Sequence, residues 1–241
     1  MDRNEFIELL YKGFEVNGLK EVLCEEAAEK LYDFYVLFVE ENKITNLTAI
    51  TDEVGVVLKH FVDCCSIAPL MNVDAKVIDI GCGGGFPTIP LAIVRPDLEI
   101  TAIDSTGKKI DFVNKAARCL NLNNVNAIST RAEDYCNENR EKFDYCVSRA
   151  VARLNILDEL CIPFVKDGGS FVAMKSNKGE EELAEAIKGI KALGAEVDTV
   201  RKDSFELCDM VTSRELMVFK KTRSTPKQYP RRYSQILKKP L

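Results

Sequence analysis

Features of metal-binding, membrane-spanning and disulfide-bonded proteins are scarce in this 241-residue sequence. It has one histidine, His60, and nine cysteines, none of them in a Cys-x-x-C pair. A structural zinc site draws its ligands from clustered cysteines and histidines, so we expect no metal. Scattered cysteines are typical of reduced thiols that pack as small apolar side chains in cytosolic proteins. No apolar run reaches the roughly 18–20 residues of a membrane span, and the acidic, amphipathic start is unlike a signal peptide. These absences predict a cytoplasmic protein with no membrane segment.

The most informative stretch is the glycine-rich turn DIGCGGGFPTIP at residues 79–90. Asp79 lies in a short predicted strand, Gly81, Gly83 and Gly85 follow at alternate positions, and a proline-bearing segment then starts a predicted helix. Because glycine has no Cβ, the chain can turn sharply here and its backbone can lie against a ligand. The first turn of the helix also offers unpaired N–H groups. The pattern favours a bound nucleotide-like molecule over a turn that is only structural.

The spacing of these glycines distinguishes the known classes of glycine loop. The dinucleotide pattern G-x-G-x-x-G/A fails at Phe86, where glycine or alanine would be needed. No G-K-[ST] follows, so the phosphate loop of nucleoside triphosphatases is absent. The stretch does fit D-x-G-x-G-x-G and resembles the first motif of Rossmann-like methyltransferases that bind S-adenosylmethionine. A nicotinamide-dependent oxidoreductase on a similar sheet is the main alternative.

Two further loops strengthen the prediction of a cofactor site. The stretch 99–104 is a predicted second strand ending in Asp104, whose carboxylate could accept both ribose hydroxyls of an adenosine. Alternatively, Asp104 caps the following helix. A third predicted strand, 125–128, runs into a loop with Ala132 and Glu133. In such folds this loop borders the adenine, so both residues are candidates for the base pocket.

Periodicity along the chain predicts an α/β fold with an added helical region. Residues 1–70 form an N-terminal helical cap, in which apolar residues recur every three or four positions and Thr51 caps a third helix. Residues 71–221 alternate strands and helices and form the S-adenosylmethionine-binding core. The predicted fold is a Rossmann-like class I methyltransferase, a mostly parallel seven-stranded sheet with an antiparallel last strand and helices on both faces. The last two strands, near 195–205 and 214–220, are joined by a loop that permits a hairpin.

Charge is unevenly distributed along the chain. The net charge is −5, yet residues 220–241 contain eight basic and no acidic residues. We treat 222–241 as a basic C-terminal tail that could hold RNA phosphates with its cations and stack on bases with Tyr229 and Tyr233. A disordered, solubilising end is the alternative. The candidates for contact with RNA are Arg231, Arg232, Lys238 and Lys239. Deletion of the tail is expected to weaken RNA binding and to spare cofactor binding.

Beyond the glycine turn, nearly the whole chain resembles the bacterial RsmG (GidB) family, which methylates N7 of a guanine in 16S ribosomal RNA. The stretches that carry the resemblance are Asn46-Leu47-Thr48, His60-Phe61-Val62-Asp63, Arg95-Pro96, Asp104-Ser105, Arg131-Ala132-Glu133, Ser148-Arg149-Ala150-Val151-Ala152, Lys175, Tyr229-Pro230-Arg231-Arg232 and Lys239-Pro240-Leu241. The resemblance implies a 16S rRNA (guanine-N7)-methyltransferase with S-adenosylmethionine as cofactor. It also implies the target, guanine 527 in the 530 loop, in free RNA or in a small-subunit ribosomal particle. We expect a monomer.

The same resemblance implies individual cofactor contacts. Matched position by position, they fall on Gly81, Phe86, Ala132, Glu133 and Arg149. Gly83, Gly85 and Asp104 from the motif complete the predicted cofactor site.

Three positions need separate interpretation. Arg149 could bind the carboxylate of the cofactor or a phosphate of the target, or it could pair with an acid at the edge of the sheet. His60, the lone histidine, is expected to be structural. Thr88 stands where the family usually has glycine, which is a departure beside the glycine turn.

The chemistry implied by the resemblance needs no catalytic acid or base, and we assign none. Guanine N7 carries an in-plane lone pair and no proton, so alignment of N7, the methyl carbon and the departing sulfur is sufficient. Cysteine-dependent pyrimidine methylation is disfavoured, because no cysteine follows a proline. The N-P-P-[YF] loop of amine methyltransferases is also missing, and Ser148-Arg149-Ala150 stands in its place. A ribosome-assembly factor that keeps the fold without turnover is a third hypothesis.

Overall fold

A seven-stranded sheet forms the centre of the computed structural model, which describes residues 1–149, 151–176 and 179–241. The strands are β1 (Lys76–Ile80), β2 (Glu99–Asp104), β3 (Val125–Ser129), β4 (Phe143–Arg149), β5 (Val165–Lys175), β6 (Ala195–Leu207) and β7 (Met210–Lys221). They lie in the order β3-β2-β1-β4-β5-β7-β6. Strands β1 to β5 are parallel, and β7 runs antiparallel to both β5 and β6. The predicted mostly parallel seven-stranded sheet with an antiparallel last strand is therefore confirmed.

The strand order reverses at β1. Strand β2 pairs with one edge of β1 and β4 pairs with the other. The loops that follow β1 and β4 therefore diverge at the carboxyl end of the sheet, where ligands bind in open parallel sheets. This topology places the glycine turn, Asp104 at the end of β2 and Arg149 at the end of β4 along one edge.

The last two strands form a long hairpin, as predicted. They pair from Ala195 and Lys221 to Leu207 and Met210. Both strands extend beyond the predicted 195–205 and 214–220, because a two-residue turn joins them directly, with Cys208 in a left-handed conformation at φ 54°. The hairpin places β7 between β5 and β6.

Helices cover the sheet on both faces. The α-helices of the described residues are α1 (Arg3–Val16), α2 (Glu25–Thr45), α3 (Glu53–Val56), α4 (Asp63–Cys65), α5 (Thr88–Val94), α6 (Gly107–Cys119), α7 (Ala132–Asn139), α8 (Leu154–Cys161), α9 (Gly179–Ala192) and α10 (Tyr233–Lys238). A π-helical segment, Val57–Val62, joins α3 to α4. The prediction that Thr51 caps the third helix is wrong. Asp52 is the capping residue, because its carboxylate accepts the Gly55 N–H at 2.7 Å and satisfies an otherwise unpaired donor.

Alternating strand residues divide the core into two layers. Val77 of β1 faces a cluster that includes Phe34 and Phe38 of α2, while the adjacent Ile78 faces a cluster with Leu157 of α8 and Ile190 of α9. Neighbouring side chains of a strand point to opposite faces, so each strand contributes to both layers. The N-terminal helices thus share one hydrophobic cluster with the sheet.

The C-terminal segment, residues 222–241, is folded onto the core. The guanidinium of Arg140 donates to the carbonyl oxygens of Thr225 at 2.6 Å and of Pro226 at 2.9 Å. Farther along, Ile236 of α10 is fully buried in the cluster around α8. The alternative of a disordered, solubilising end does not describe this segment.

Three observations concern metals, thiols and membranes. Over residues 1–149, 151–176 and 179–241, no three His, Cys, Asp or Glu side chains come together in the way that a metal ion requires. The nine cysteines are free thiols, and six of them are buried. None of the helices in the described part of the chain is long and apolar enough to span a membrane.

Candidate functional site

A crevice opens at the carboxyl ends of β1, β2 and β4, where the strand order reverses. It consists of two adjoining cavities of about 200 Å³ and 310 Å³. The cavities share Gly81, Asp104 and Val151 in their linings. We name the first the Glu133 cavity and the second the Arg149 cavity, after a residue that lines only one of them.

The glycine turn forms the wall between the two cavities. The N–H groups of Gly81 and Cys82 both donate to the Ile103 carbonyl oxygen, at 2.8 and 3.2 Å, which ties the turn to β2. Gly81 has a φ of +77°, and a Cβ atom added there would lie 2.5 Å from Val151 Cγ2. An L side chain at position 81 would therefore be strained for two reasons. The backbone is left-handed, and the side chain would overlap Val151.

The Glu133 cavity brings together loops from three strands. Gly81 follows β1, Asp104 ends β2, and Ala132 and Glu133 follow β3. The other lining residues are partly polar and partly apolar: Ser105, Thr130 and Arg131 on the one hand, and Ile80, Ile103, Val151, Leu160 and Tyr233 on the other. The cavity therefore combines carboxylates on one side with a surface that suits a flat apolar ring.

Asp104 is held in place by two backbone donors. Its Oδ2 accepts the Gly83 N–H at 3.1 Å, and its Oδ1 accepts the Thr106 N–H at 2.8 Å just before α6. The N-cap residue of α6 is Thr106, and no side chain caps the helix, so the interpretation of Asp104 as the helix cap is wrong. Asp104 lines both cavities, and its contact with the ribose stays a prediction.

The Arg149 cavity is built around an aromatic stack. The His60 ring lies 4.5 Å from the Phe86 ring at an interplanar angle of 22°, and both line the cavity. His60 Nε2 is 3.1 Å from Thr48 Oγ1. Burial, together with the positive charges of Arg149 and Arg214, lowers the pKa of His60 to about 3. The imidazole is therefore neutral at physiological pH and acts as a packing group.

Arg149 is positioned by buried partners. Its guanidinium donates to the Lys59 carbonyl oxygen at 3.0 Å and to Asp63 Oδ2 at 3.2 Å. Asp63 is itself 1% exposed and accepts two further bonds from Arg214 of β7, at 2.8 and 2.6 Å. The guanidinium also lies 5.4 Å from the centre of the Phe86 ring. Arg149 thus pairs with an acid, as one interpretation expects, and it also lines the cavity, so its contact with the cofactor or the target stays a prediction.

Thr88, the departure from the family's pattern, is bonded to the acid of the glycine motif. Its Oγ1 donates to Asp79 Oδ2 at 2.6 Å, and both side chains are fully buried. Burial raises the pKa of Asp79 to about 7, although the Thr88 hydrogen bond and the charge of Arg149 oppose the rise. Neither residue lines the crevice, so the departure changes the support of the glycine turn and not its surface.

Comparison with known proteins identifies the family. The family described as rRNA small subunit methyltransferase G (GidB) matches residues 27–208. The chain is 46% identical to the ribosomal RNA small subunit methyltransferase G of Staphylococcus carnosus, over 91% of this chain and 92% of that protein. The protein of the same name from Staphylococcus epidermidis is 45% identical, with 98% of each chain covered. The chain belongs to the GidB family.

Solved structures with the same fold confirm the fold class of this GidB family member. TYW2 from M. jannaschii, whose crystal structure is a complex with AdoMet, has a TM-score of 0.54 at 20% identity. The similarity covers 66% of this chain and 74% of that one. The precorrin-6y C5,15-methyltransferase of Geobacter metallireducens has a TM-score of 0.52 at 16% identity, over 74% and 92% of the two chains. The predicted Rossmann-like class I methyltransferase fold is confirmed.

The predicted cofactor residues are divided between the two cavities. Ala132 and Glu133 line the Glu133 cavity, Gly83, Phe86 and Arg149 line the Arg149 cavity, and Gly81 and Asp104 line both. Gly85 lines neither of them. A Cβ added to Gly85 would lie 2.8 Å from Ile89 Cγ1, so this glycine allows the turn to pack on α5. Ala150, in the stretch that follows Arg149, lies outside the described residues.

The predicted RNA-binding residues are not equivalent. Arg231 is bonded to the buried carboxylate of Glu159 through its N–H at 2.7 Å and its guanidinium, whereas Arg232, Lys238 and Lys239 are exposed.

The sequence did not predict that Tyr233 lines the Glu133 cavity. The tyrosine was noticed only as a possible stacking partner for RNA bases, since nothing local indicates where the tail returns.

Proposed function

We propose that this protein transfers the methyl group of S-adenosylmethionine to N7 of a guanine in 16S ribosomal RNA, guanine 527 of the 530 loop. The observation that carries the proposal is the convergence of the glycine turn, Asp104, Glu133 and Arg149 on one crevice in a GidB family member. We further propose that the enzyme acts as a cytoplasmic monomer on the RNA or on a small-subunit particle.

The crevice offers a matching partner for each part of the cofactor. In this proposal the Asp104 carboxylate accepts the ribose hydroxyls, and Ala132 and Glu133 border the adenine. The backbone at Gly81 and Gly83 lies against the amino-acid part of the cofactor. The positive charge of Arg149 attracts the carboxylate of that part. When bound, S-adenosylmethionine supplies an electrophilic methyl group on a positively charged sulfur.

Transfer to N7 agrees with the protonation states in the crevice. The single histidine has a pKa of about 3, and its Nε2 is near the Thr48 hydroxyl. Asp104 accepts backbone N–H groups on both carboxylate oxygens. His60 is therefore poorly suited to remove a proton, and guanine N7 has no proton to remove. We propose that the protein acts by aligning N7 with the methyl carbon and sulfur.

A basic rim is available for the RNA. Lys109 lines the Arg149 cavity, and Arg131 lines the Glu133 cavity. Arg232 directly precedes Tyr233, which also lines the Glu133 cavity, so the exposed end of the chain lies beside the crevice. Guanine N7 faces the deep, narrow major groove of A-form RNA, and a target in a loop such as the 530 loop avoids that barrier.

The direct test is methyl transfer to 16S RNA followed by mapping of the modified nucleotide. Purified protein with methyl-labelled S-adenosylmethionine is expected to label one guanine, and cleavage at 7-methylguanine should place the label at position 527. Free 16S RNA and small-subunit particles are compared as substrates. Label at another atom or nucleotide would contradict the specificity. Cofactor binding without any transfer to either substrate would favour an assembly factor.

The exposed cations of the C-terminal segment should determine part of the salt dependence of RNA binding. Replacing Arg232, Lys238 and Lys239 together by alanine removes three phosphate contacts in our proposal. The slope of log K against log salt is then expected to fall by about 2, because each contact with single-stranded RNA contributes about 0.7. Fluorescence anisotropy with a 530-loop RNA at several salt concentrations measures it.

A matched control removes the same charge elsewhere. Lys12, Lys20 and Lys30 lie on the N-terminal helical region and line neither cavity of the crevice. Their triple alanine variant loses three cations too, yet it should keep the slope of the unmodified protein. Equal slopes for the two triple variants would show that only net charge matters and that the C-terminal cations touch no phosphate.

A further inference from the structure

The C-terminal segment contributes a wall to the Glu133 cavity. The family match ends at residue 208, so this segment lies beyond it. After β7 the chain crosses the sheet's helical cover and begins α10 with Tyr233, which lines the cavity together with Asp104, Ala132 and Glu133.

Tyr233 is held by contacts on both sides along the chain. Before it, the N–H of Arg231 donates to Glu159 Oε1 at 2.7 Å, and Nε of the same arginine donates to that oxygen at 2.9 Å. After it, Ile236 is fully buried against the core. The backbone N–H of Tyr233 itself donates to Glu133 Oε1 at 3.2 Å. The backbone at Tyr233 is therefore held by hydrogen bonds, and its half-buried side chain packs against the cluster around α8.

The surroundings of the ring suit an adenine. Tyr233 is the only aromatic residue among the described residues that line this cavity, whose other apolar walls are aliphatic. A flat aromatic face favours stacking with a nucleobase, and that preference is independent of hydrogen-bond pattern. The bond from Tyr233 to Oε1 leaves Glu133 Oε2 to accept an N–H donor such as the amino group of adenine.

We propose that residues 222–241 complete the cofactor site, and that Tyr233 is a binding residue for the adenosine half of S-adenosylmethionine. This inference rests on the proposed function, because it assumes that the Glu133 cavity holds adenosine. It adds a role to a segment that the sequence assigns to RNA alone. Loss of the segment should therefore reduce cofactor affinity as well as RNA affinity.

Calorimetry on the full chain with two ligands tests the role of Tyr233. The ligands are S-adenosylmethionine and 5′-methylthioadenosine, which lacks the amino-acid half. Tyr233→Ala is expected to weaken both by about tenfold or more, since loss of one aromatic–base stack reduces binding by roughly 5- to 150-fold. Tyr233→Phe keeps the ring and should bind within about twofold of the unmodified protein. The control is Leu237→Ala on the same helix, where the side chain is 50% exposed, and it should change neither affinity.

The absence of tryptophan gives a second readout that a purely structural role would not change. The seven tyrosines dominate the intrinsic fluorescence of this chain. If Tyr233 stacks on adenine, bound cofactor quenches part of the tyrosine emission, and Tyr233→Phe loses that part of the quenching while it keeps its affinity. Leu237→Ala should quench like the unmodified protein.

The outcomes separate this inference from the proposed function. Failure of the unmodified protein to bind S-adenosylmethionine would overturn the proposed function. Normal binding with Tyr233→Ala within twofold for both ligands, or unchanged quenching in Tyr233→Phe, would overturn the inference alone. If Tyr233→Ala does not fold, Tyr233→Leu keeps apolar volume without a flat ring. Affinity of that variant equal to the unmodified protein would also overturn the role of the ring.

Discussion

Gly81→Asp is expected to reduce affinity for S-adenosylmethionine at least 100-fold, about 2.7 kcal/mol of binding free energy. The variant places a side chain on a residue with a φ of +77°, where a Cβ atom would lie 2.5 Å from Val151 Cγ2. Relief of that overlap must move either Val151 or the glycine turn, and Gly81 and Val151 both line the two cavities. The new carboxylate also lies in a crevice that already contains Asp104. Isothermal calorimetry on folded protein measures the loss.

Gly18→Asp controls for the strained backbone alone. Gly18 has a nearly equal φ of +71°, and nothing lies within 4 Å of a Cβ built there. This variant should lose about 1–2 kcal/mol of stability from the left-handed conformation and keep its cofactor affinity. Equal affinities for Gly81→Asp and the unmodified protein would mean that no ligand lies against the glycine turn, and the cofactor site would have to be sought elsewhere.

Arg231→Met is expected to lower the free energy of unfolding by about 3–5 kcal/mol, the usual cost of leaving a buried charge without its partner. Glu159 is 0% exposed and accepts from the backbone N–H, Nε and Nη2 of Arg231. In a chain of this size, such a loss corresponds to a melting temperature lower by about 10 °C. Denaturant titration and thermal unfolding measure the two quantities.

Two companion variants test whether the buried acid is the cause. Arg232→Met removes the neighbouring, exposed arginine and should change stability by less than about 0.5 kcal/mol. Combining Arg231→Met with Glu159→Leu removes both charges and should recover most of the lost stability, since an apolar pair can replace a buried ion pair. A double variant as unstable as Arg231→Met would point instead to the backbone path near Arg231.

Much of the fold follows from local patterns. Strand and helix alternation after Lys76 predicts a parallel sheet, and the carboxyl ends of parallel strands meet at one edge. Gly81 and Asp104 could therefore be assigned to one crevice without coordinates, and the structure brings them together. The cap of the third helix was misplaced by one residue, because Thr51 and Asp52 are both good capping residues and only backbone geometry chooses between them.

The contacts of individual charged and aromatic residues were harder to predict from the sequence. Arg149 could be assigned to a ligand or to an acid, and the structure shows its pairing with Asp63, which also binds Arg214 from the hairpin. Local sequence does not reveal these pairings, because Asp63 lies 86 positions from Arg149 and 151 positions from Arg214. The sequence did not predict the stack of His60 on Phe86 either, because these two residues are also far apart along the chain.

The sheet, the glycine turn and the order of the loops that build the crevice follow from the amino-acid sequence alone. These features depend on side-chain periodicity and on the special conformations of glycine, both of which are local. Where the C-terminal segment lies follows only from the three-dimensional structure. Arg231 meets Glu159 across 72 positions, and Tyr233 meets Glu133 across 100. Such contacts are set by the path of the whole chain, so a run of basic residues does not reveal that one of its neighbours, Tyr233, lines the crevice.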